Sequence, residues 1–317
     1  MKINKDTANL ENSETIEQIP LACCDELAAV EFLEKRLWKG QPHCTHCKSA
    51  NVYAMRDKNG QRNKRFLWRC HDCHGQFTVR IGTVFEESRL PLRHWCYAFW
   101  RMSTSKKGVA ALEIQRQCQI SYKSALFLMH RIRCAMTQNP AEAAKFTGTV
   151  ECDETYIGGK PRFGTGPHKR GRGTSKIPVF GIVQREGNIH RRVVADVSAA
   201  TLKSAIRECV DSQARIVTDE NLAYRGIGKE FAGGHETVNH GTREYARGDI
   251  FTNTAESSFA IIKRGLMGVY HAVSKEHLPR YLGEFDFRWN TRKMNDGERT
   301  TLAIQSAAGK RLAYYGA

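Results

Sequence analysis

Apolar positions along the chain change period twice, and each change marks a different kind of unit. After Pro91, the residues Leu92, Trp95, Phe99 and Met102 recur at helical spacing, predicting a helix that ends at Ser105-Lys106-Lys107-Gly108. Two further helices are predicted over 109–118 and 122–136, joined by Gln119-Ile120-Ser121 with Ser121 as an N-cap. From Gly148 the runs shorten to strand length: 149–157, 177–184 and 189–197, then a helix over 199–210 and a strand over 214–219. Ala255, Phe259, Ile262 and Leu266 form the apolar stripe of a later helix, and Leu278, Tyr281, Leu282, Phe285 and Trp289 that of another. The first 40 residues read as helical or flexible, and the tail after Asn290 carries no informative pattern.

Three strands, a helix, a fourth strand ending in an aspartate and a helix carrying a glutamate follow the order of a ribonuclease H-like mixed sheet with flanking helices, where ligands gather beyond the strand ends. The expected organisation is multidomain, α+β followed by α/β: an N-terminal segment over 1–40, a small cysteine-rich unit over 41–87, a helical unit over 88–140, the sheet domain over 147–295 and a C-terminal tail over 296–317. At 317 residues and 41% hydrophobic, the chain can bury a sizeable core. No stretch matches a membrane span or a signal peptide, so a cytoplasmic protein is expected.

Of 11 cysteines, Cys44, Cys47, Cys70 and Cys73 stand apart as two Cys-x-x-Cys knuckles, with Lys58-Asn59-Gly60 as a hairpin tip between them. Four thiolates at this spacing suit one tetrahedral Zn²⁺ in a zinc ribbon, whose small core needs the metal to fold. A closed set of four sulfurs leaves no open position, so this zinc organises structure and activates nothing. His43, His46, His71 and His74 read as surface neighbours, and the other cysteines as small apolar residues.

The formal charge of +16, spread along most of the chain, points to an extended polyanion, with nucleic acid foremost. Residues 109–136 have the proportions of a helix-turn-helix whose second helix offers Lys123, His130, Arg131 and Arg133 to a groove. Among the carboxylates, Glu151 and Asp153 share a strand face, so periodicity alone does not choose between them. Glu220 competes with Asp219, while Asp196 and Asp249 also approach the region, and Asn253-x-x-Glu256 reads equally as a capping box.

The segment Val150-Glu151-Cys152-Asp153-Glu154-Thr155-Tyr156-Ile157-Gly158-Gly159-Lys160 resembles the first catalytic block of bacterial insertion-sequence transposases of the zinc-ribbon DDE kind. Residues 68–85, Thr218-Asp219-Glu220 and 253–265 are similar to the same family in order and spacing, and the likeness runs over about 44–290. The resemblance implies a catalytic triad of Asp153, Asp219 and Glu256 holding two Mg²⁺ or Mn²⁺ ions, the arrangement that serves in-line displacement at phosphorus. Some relatives carry Asn as the third residue, which keeps Asn253 in view. Lys263, seven residues after Glu256, lies about 20° from the same helical face and is expected on a DNA phosphate, with Arg264 as a helper. The basic loop over 160–176 is expected to be mobile in the free protein and to clamp the DNA backbone.

The implied activity is binding of terminal inverted repeats, hydrolytic cleavage of the element's ends and strand transfer into target DNA. An oligomer, at least a dimer, is expected because two ends are handled together. Competing expectations are a zinc-ribbon DNA-binding regulator with an inactive nuclease-like domain, and a structure-specific nuclease or resolvase that cuts without joining.

Overall fold

The structure, a computed structural model, describes residues 5–138, 143–159 and 176–313. The chain divides into two compact units, residues 1–136 with 293–317, and residues 137–292. Most of the basic loop expected over 160–176 lies outside the described residues.

The first unit opens with α1 (Lys5–Cys24) and α2 (Glu26–Trp38), where Asp25 caps α2 by accepting from the Ala28 N–H at 2.7 Å. A three-stranded antiparallel ribbon follows in the order β1 (Val52–Ala54), β2 (Trp68–Cys70), β3 (Gln76–Phe77). Its core is little more than Cys44, Cys70 and Phe77 under Trp38 and Trp68, which is why it needs external ties. Glu34 of α2 supplies one, accepting from Arg62 at 2.9 and 3.1 Å and from Trp68 Nε1 at 2.7 Å.

Helices α3 (Leu92–Thr104), α4 (Ala111–Cys118) and α5 (Tyr122–Met136) come next. Gln119, with φ of 54°, turns the chain out of α4, and Ser121 caps α5 by accepting from the Ser124 N–H at 3.1 Å.

Residues 296–305, in a stretch where the sequence shows no pattern, form α9 (Asp296–Gln305), opened by a capping box of Asn295 and Glu298. Thr301 meets Thr15 of α1 at 3.0 Å, and the Gly297 N–H donates to Asn12 at 2.9 Å. Gly297 permits that approach, since a Cβ there would stand 2.6 Å from the Asn12 carbonyl oxygen.

The second unit is a five-stranded sheet with helices on both faces. Strand order is β6-β5-β4-β7-β8, with β4 (Thr149–Ile157), β5 (Ile177–Gln184) and β6 (Ile189–Val193) antiparallel, and β7 (Arg215–Thr218) and β8 (His235–Thr237) parallel to β4. Helix α6 (Ala199–Cys209) covers one face, packing Leu202, Ala205 and Ile206 on Val150, Cys152, Phe180 and Ile216. Helices α7 (Asn253–Gly265) and α8 (Leu278–Asn290) cover the other, where Phe259, Ile262, Leu282 and Phe285 meet Ile157 and Val179. Strands buried on both faces explain the near-continuous apolar run of β5. Among the described residues no helix is long and apolar enough to cross a membrane.

Candidate active site

Pairing between β4 and β7 sets the geometry of the carboxylates. Glu151 lies opposite Val217 in the parallel register, so Asp153 and Asp219, each two residues beyond that pair, are carried into the same region, where the charge of Asp219 acts on Asp153. Asp219 directly follows the C-terminal end of β7, while Asp153 lies in the middle of β4. On its other side Asp153 pairs with Gly181 of β5. A side chain at Gly181 would strike Phe259, because a Cβ there falls 2.7 Å from the ring. The bare backbone therefore lets α7 press onto the sheet beside Asp153.

Helix α7 places Glu256 in its first turn, half exposed, with His240 Nε2 3.5 Å from its carboxylate. The capping-box alternative is not what forms. Thr252 is the N-cap and its side chain makes no cap bond. The Thr254 and Ala255 amides are instead taken by Glu151, each at 3.0 Å. Glu151 is fully buried and also accepts from Arg185 Nε at 2.8 Å. The other competing carboxylates are occupied as well. Glu220 accepts from the His240 and Gly241 amides at 2.9 and 3.1 Å, Asp196 from the Ser198 amide at 2.9 Å, and Asp249 pairs with Arg215.

Burial, reinforced by the charges of Glu154, Asp219 and Glu256, pushes Asp153 up to about 8. Burial and Glu154 likewise raise Asp219 to about 6 against the lowering effect of the Asn221 amide. Carboxyl groups that crowd one another in this way favour their protonated form, and a cation bound between them would oppose that shift. Partial desolvation lowers Lys263 from the ordinary lysine range while the charge of Asp153 pulls it upward, so the side chain, though its outer part meets solvent, feels Asp153. Arg264 is exposed and donates to the Ala260 carbonyl at 3.2 Å.

In the first unit, Cys44, Cys47, Cys70 and Cys73 bring their sulfurs within 4.8 Å of one another, the only such group of metal-binding side chains among the described residues. Cys44 to Cys73 and Cys47 to Cys70 are each 3.6 Å, close to the edge of about 3.8 Å for a tetrahedron with Zn–S of about 2.3 Å. Burial opposes ionisation of Cys44, yet the Cys47 and His46 amides outweigh it and hold the thiol below its ordinary range. His43, His46, His71 and His74 are exposed around the knuckles.

Two expected groove-facing residues are turned inward. Arg131 is 4% exposed and donates to the carbonyls of Leu312 at 3.0 Å and Glu86 at 2.7 Å, while Arg133 is 1% exposed. Both side chains are buried in the first unit and are turned away from any groove, contrary to the expectation that they contact DNA. Lys123, by contrast, is exposed beside Tyr122 at the start of α5. Sequence reasoning did not single out His240 or Arg185. Nothing local marks them, since their partners arrive from 16 and 34 positions away.

Residues 145–290 match the ISXO2-like transposase domain and residues 24–76 the transposase zinc-ribbon domain. The chain is 29% identical over 279 residues to an uncharacterised protein in transposable element ISH50 of Halobacterium salinarum, covering 83% of this chain and 90% of that protein. The crystal structure of a pre-cleavage Mos1 transpososome aligns at 10% identity with a TM-score of 0.29, over 63% of this chain and 72% of that one. The Mos1 strand transfer complex aligns at 11% with a TM-score of 0.28, over 62% and 70%. Structural likeness at that level carries no argument; the two domain matches do, and the chain belongs to the insertion-sequence transposases of the zinc-ribbon DDE kind.

Proposed function

We propose that this transposase binds the terminal inverted repeats of its element, cleaves the element's ends and joins them to target DNA, using Asp153, Asp219 and Glu256. The observation that supports the reading is the β4–β7 register, which runs Asp153 and Asp219 into one region, where crowding raises both. The antiparallel β4-β5-β6 followed by parallel β7 and β8 supports a ribonuclease H-like sheet.

Hard oxygen donors suit Mg²⁺ or Mn²⁺, and a pair of such ions shared by the three carboxylates would neutralise charge on the attacking and leaving oxygens of an in-line displacement. Asp153 and Asp219 hold their side of the site from a rigid sheet, and Glu256 holds the other from α7. Lys263 binds a phosphate beside the cut, with Arg264 on the neighbouring backbone. Water attacks the phosphodiester first, and the freed 3′-hydroxyl then attacks target DNA, so no side chain becomes a covalent intermediate. One structural Zn²⁺ held by Cys44, Cys47, Cys70 and Cys73 organises the ribbon.

The reading of α4 and α5 as a helix-turn-helix rests on their turn and on the exposed first turn of α5, where Tyr122 and Lys123 replace Arg131 and Arg133 as the groove contacts. Because two ends react together, the working form is at least a dimer.

The test is to incubate purified protein and Mg²⁺ with labelled DNA carrying the ends that flank its gene, scoring 3′-end nicking and joining to a plasmid. Asp153→Asn, Asp219→Asn and Glu256→Gln should each abolish both reactions. Binding without either reaction in the unaltered protein would mark a regulator, and nicking without joining a nuclease or resolvase.

A further inference from the structure

Asp153 is flanked on β4 by two carboxylates that the proposed chemistry does not use, Glu151 and Glu154. They lie on opposite faces of the strand, since their separation of three residues reverses the pleat. Glu151 takes up the start of α7: the Thr254 and Ala255 amides at 3.0 Å and the Thr254 hydroxyl at 2.9 Å all donate to it. Arg185, which also binds Glu151, donates onward to the Phe251 carbonyl at 2.9 Å and to that of Asp249. The chain leading into α7 is thereby held to β4 as well. Glu154 takes up the segment after Asp219, accepting from Asn221 Nδ2 and from the Tyr224 hydroxyl at 2.5 Å. Within that segment the Asn221 amide donates to Asp219 Oδ1 at 3.1 Å, and Tyr224 is fully buried in the core under α6.

We infer that Glu151 and Glu154 are positioning residues: Glu151 fixes α7, and with it Glu256, to the strand carrying Asp153, and Glu154 does the same for the 219–224 segment and Asp219. The inference rests on the proposed triad. Its physical basis is that the three carboxylates of the proposed triad would repel each other on being brought to shared ions, so the elements bearing them need ties that act independently of the metal. Burying an acidic group in a core is costly unless it is fully hydrogen-bonded. A fold that needed only packing at 151 would be served by an apolar residue. A carboxylate there instead meets the positive end of a helix and two of its orphan amides.

The test uses the full-length, zinc-loaded protein and Mn²⁺ as the probe, titrated without DNA and followed by the electron paramagnetic resonance signal of free Mn²⁺. Thermal melting, binding of end DNA and end cleavage are measured alongside. Glu151→Gln and Glu154→Gln should each weaken Mn²⁺ binding about tenfold, the low end of the loss when groups supporting metal ligands are removed, with DNA binding unchanged. Thr254→Ala and Tyr224→Phe, which delete one donor each with little change in packing, should weaken it by a smaller factor and lose cleavage that excess Mn²⁺ restores. If a glutamine variant does not fold, these two decide the matter. Mn²⁺ affinity within twofold of the unaltered protein in every folded variant, while Asp153→Asn abolishes binding, would overturn the positioning roles and leave the triad standing. Asp153→Asn that binds Mn²⁺ and cleaves normally would remove the triad and the inference together.

Discussion

Replacing Gly181 by alanine tests whether the close approach of α7 to the sheet sets the catalytic geometry. The new methyl would lie 2.7 Å from Cζ and 3.2 Å from Cε1 of Phe259. Carbon atoms rest at about 3.5 to 4.0 Å, so the ring must retreat by roughly 1 Å. Phe259 is 3% exposed and packed with Ile262, Leu282 and Phe285, so any retreat presses on those neighbours. Overpacking of this kind costs about 1 to 3 kcal/mol, a fall in melting midpoint of roughly 2 to 4 °C per kcal/mol for a domain of this size. Phe259 and Glu256 share the rigid turns of α7, so part of the displacement reaches the carboxylate, and a 1 Å error can cost about 100-fold in rate. Thermal unfolding and single-turnover end cleavage would be measured for Gly181→Ala and for Gly181→Ala combined with Phe259→Leu. The double variant should recover cleavage as the smaller side chain makes room. Gly181→Ala with unaltered stability and unaltered cleavage would refute the reasoning.

Stripping zinc, or changing Cys70 to Ser, should melt the ribbon and abolish binding of end DNA, with metal analysis falling from one zinc per chain; binding that survives metal loss would contradict a structural role. Arg131→Ala should destabilise the protein by about 1 to 3 kcal/mol by leaving two carbonyls without their donor, whereas Lys123→Ala should leave the melting midpoint unchanged and weaken DNA binding in a salt-dependent way; the opposite pattern would reverse the two assignments. Asp153 is raised to about 8 in the folded protein, so between about pH 4 and 8 the folded state holds a proton that the unfolded chain gives up. Without added Mg²⁺ or Mn²⁺, the unaltered protein should therefore lose stability relative to Asp153→Asn as pH rises through that window, and a constant difference would show that Asp153 does not titrate there.

Strong periodicity made much of this architecture legible. The apolar stripes of α3, α5, α7 and α8 and the dense strands β4 and β5 appear in the sequence because each buries a regular set of side chains. β8 does not, since His235-Glu236-Thr237 is three polar residues recruited by the edge of β7. Nor does α9, whose buried face includes Thr300, Thr301 and Glu298 and so reads as solvent-facing until α1 is in place. Arg131 and Arg133 mislead for the same reason in reverse: a basic residue beside an apolar stripe suggests a surface, and only the carbonyls of residues 86 and 312 turn Arg131 inward. At the carboxylates, alternation could not separate Glu151 from Asp153, because both occupy one face; what distinguishes them is that α7 brings donors to Glu151 from 103 positions away.

The return of α9 to the first unit has a consequence for how the protein is made. Residues 5–136 leave the ribosome first, yet the surface of α1 and α3 that α9 covers stays open until the whole catalytic unit has been synthesised. An N-terminal fragment produced by a premature stop would leave that seam, with the partners of Thr301 and Gly297 on α1, uncovered and open to proteases. The first unit therefore reaches its finished form only when the second has been translated, and if the proposed function holds, release of a fragment that occupies the element's ends without cutting them is disfavoured by the order of assembly itself.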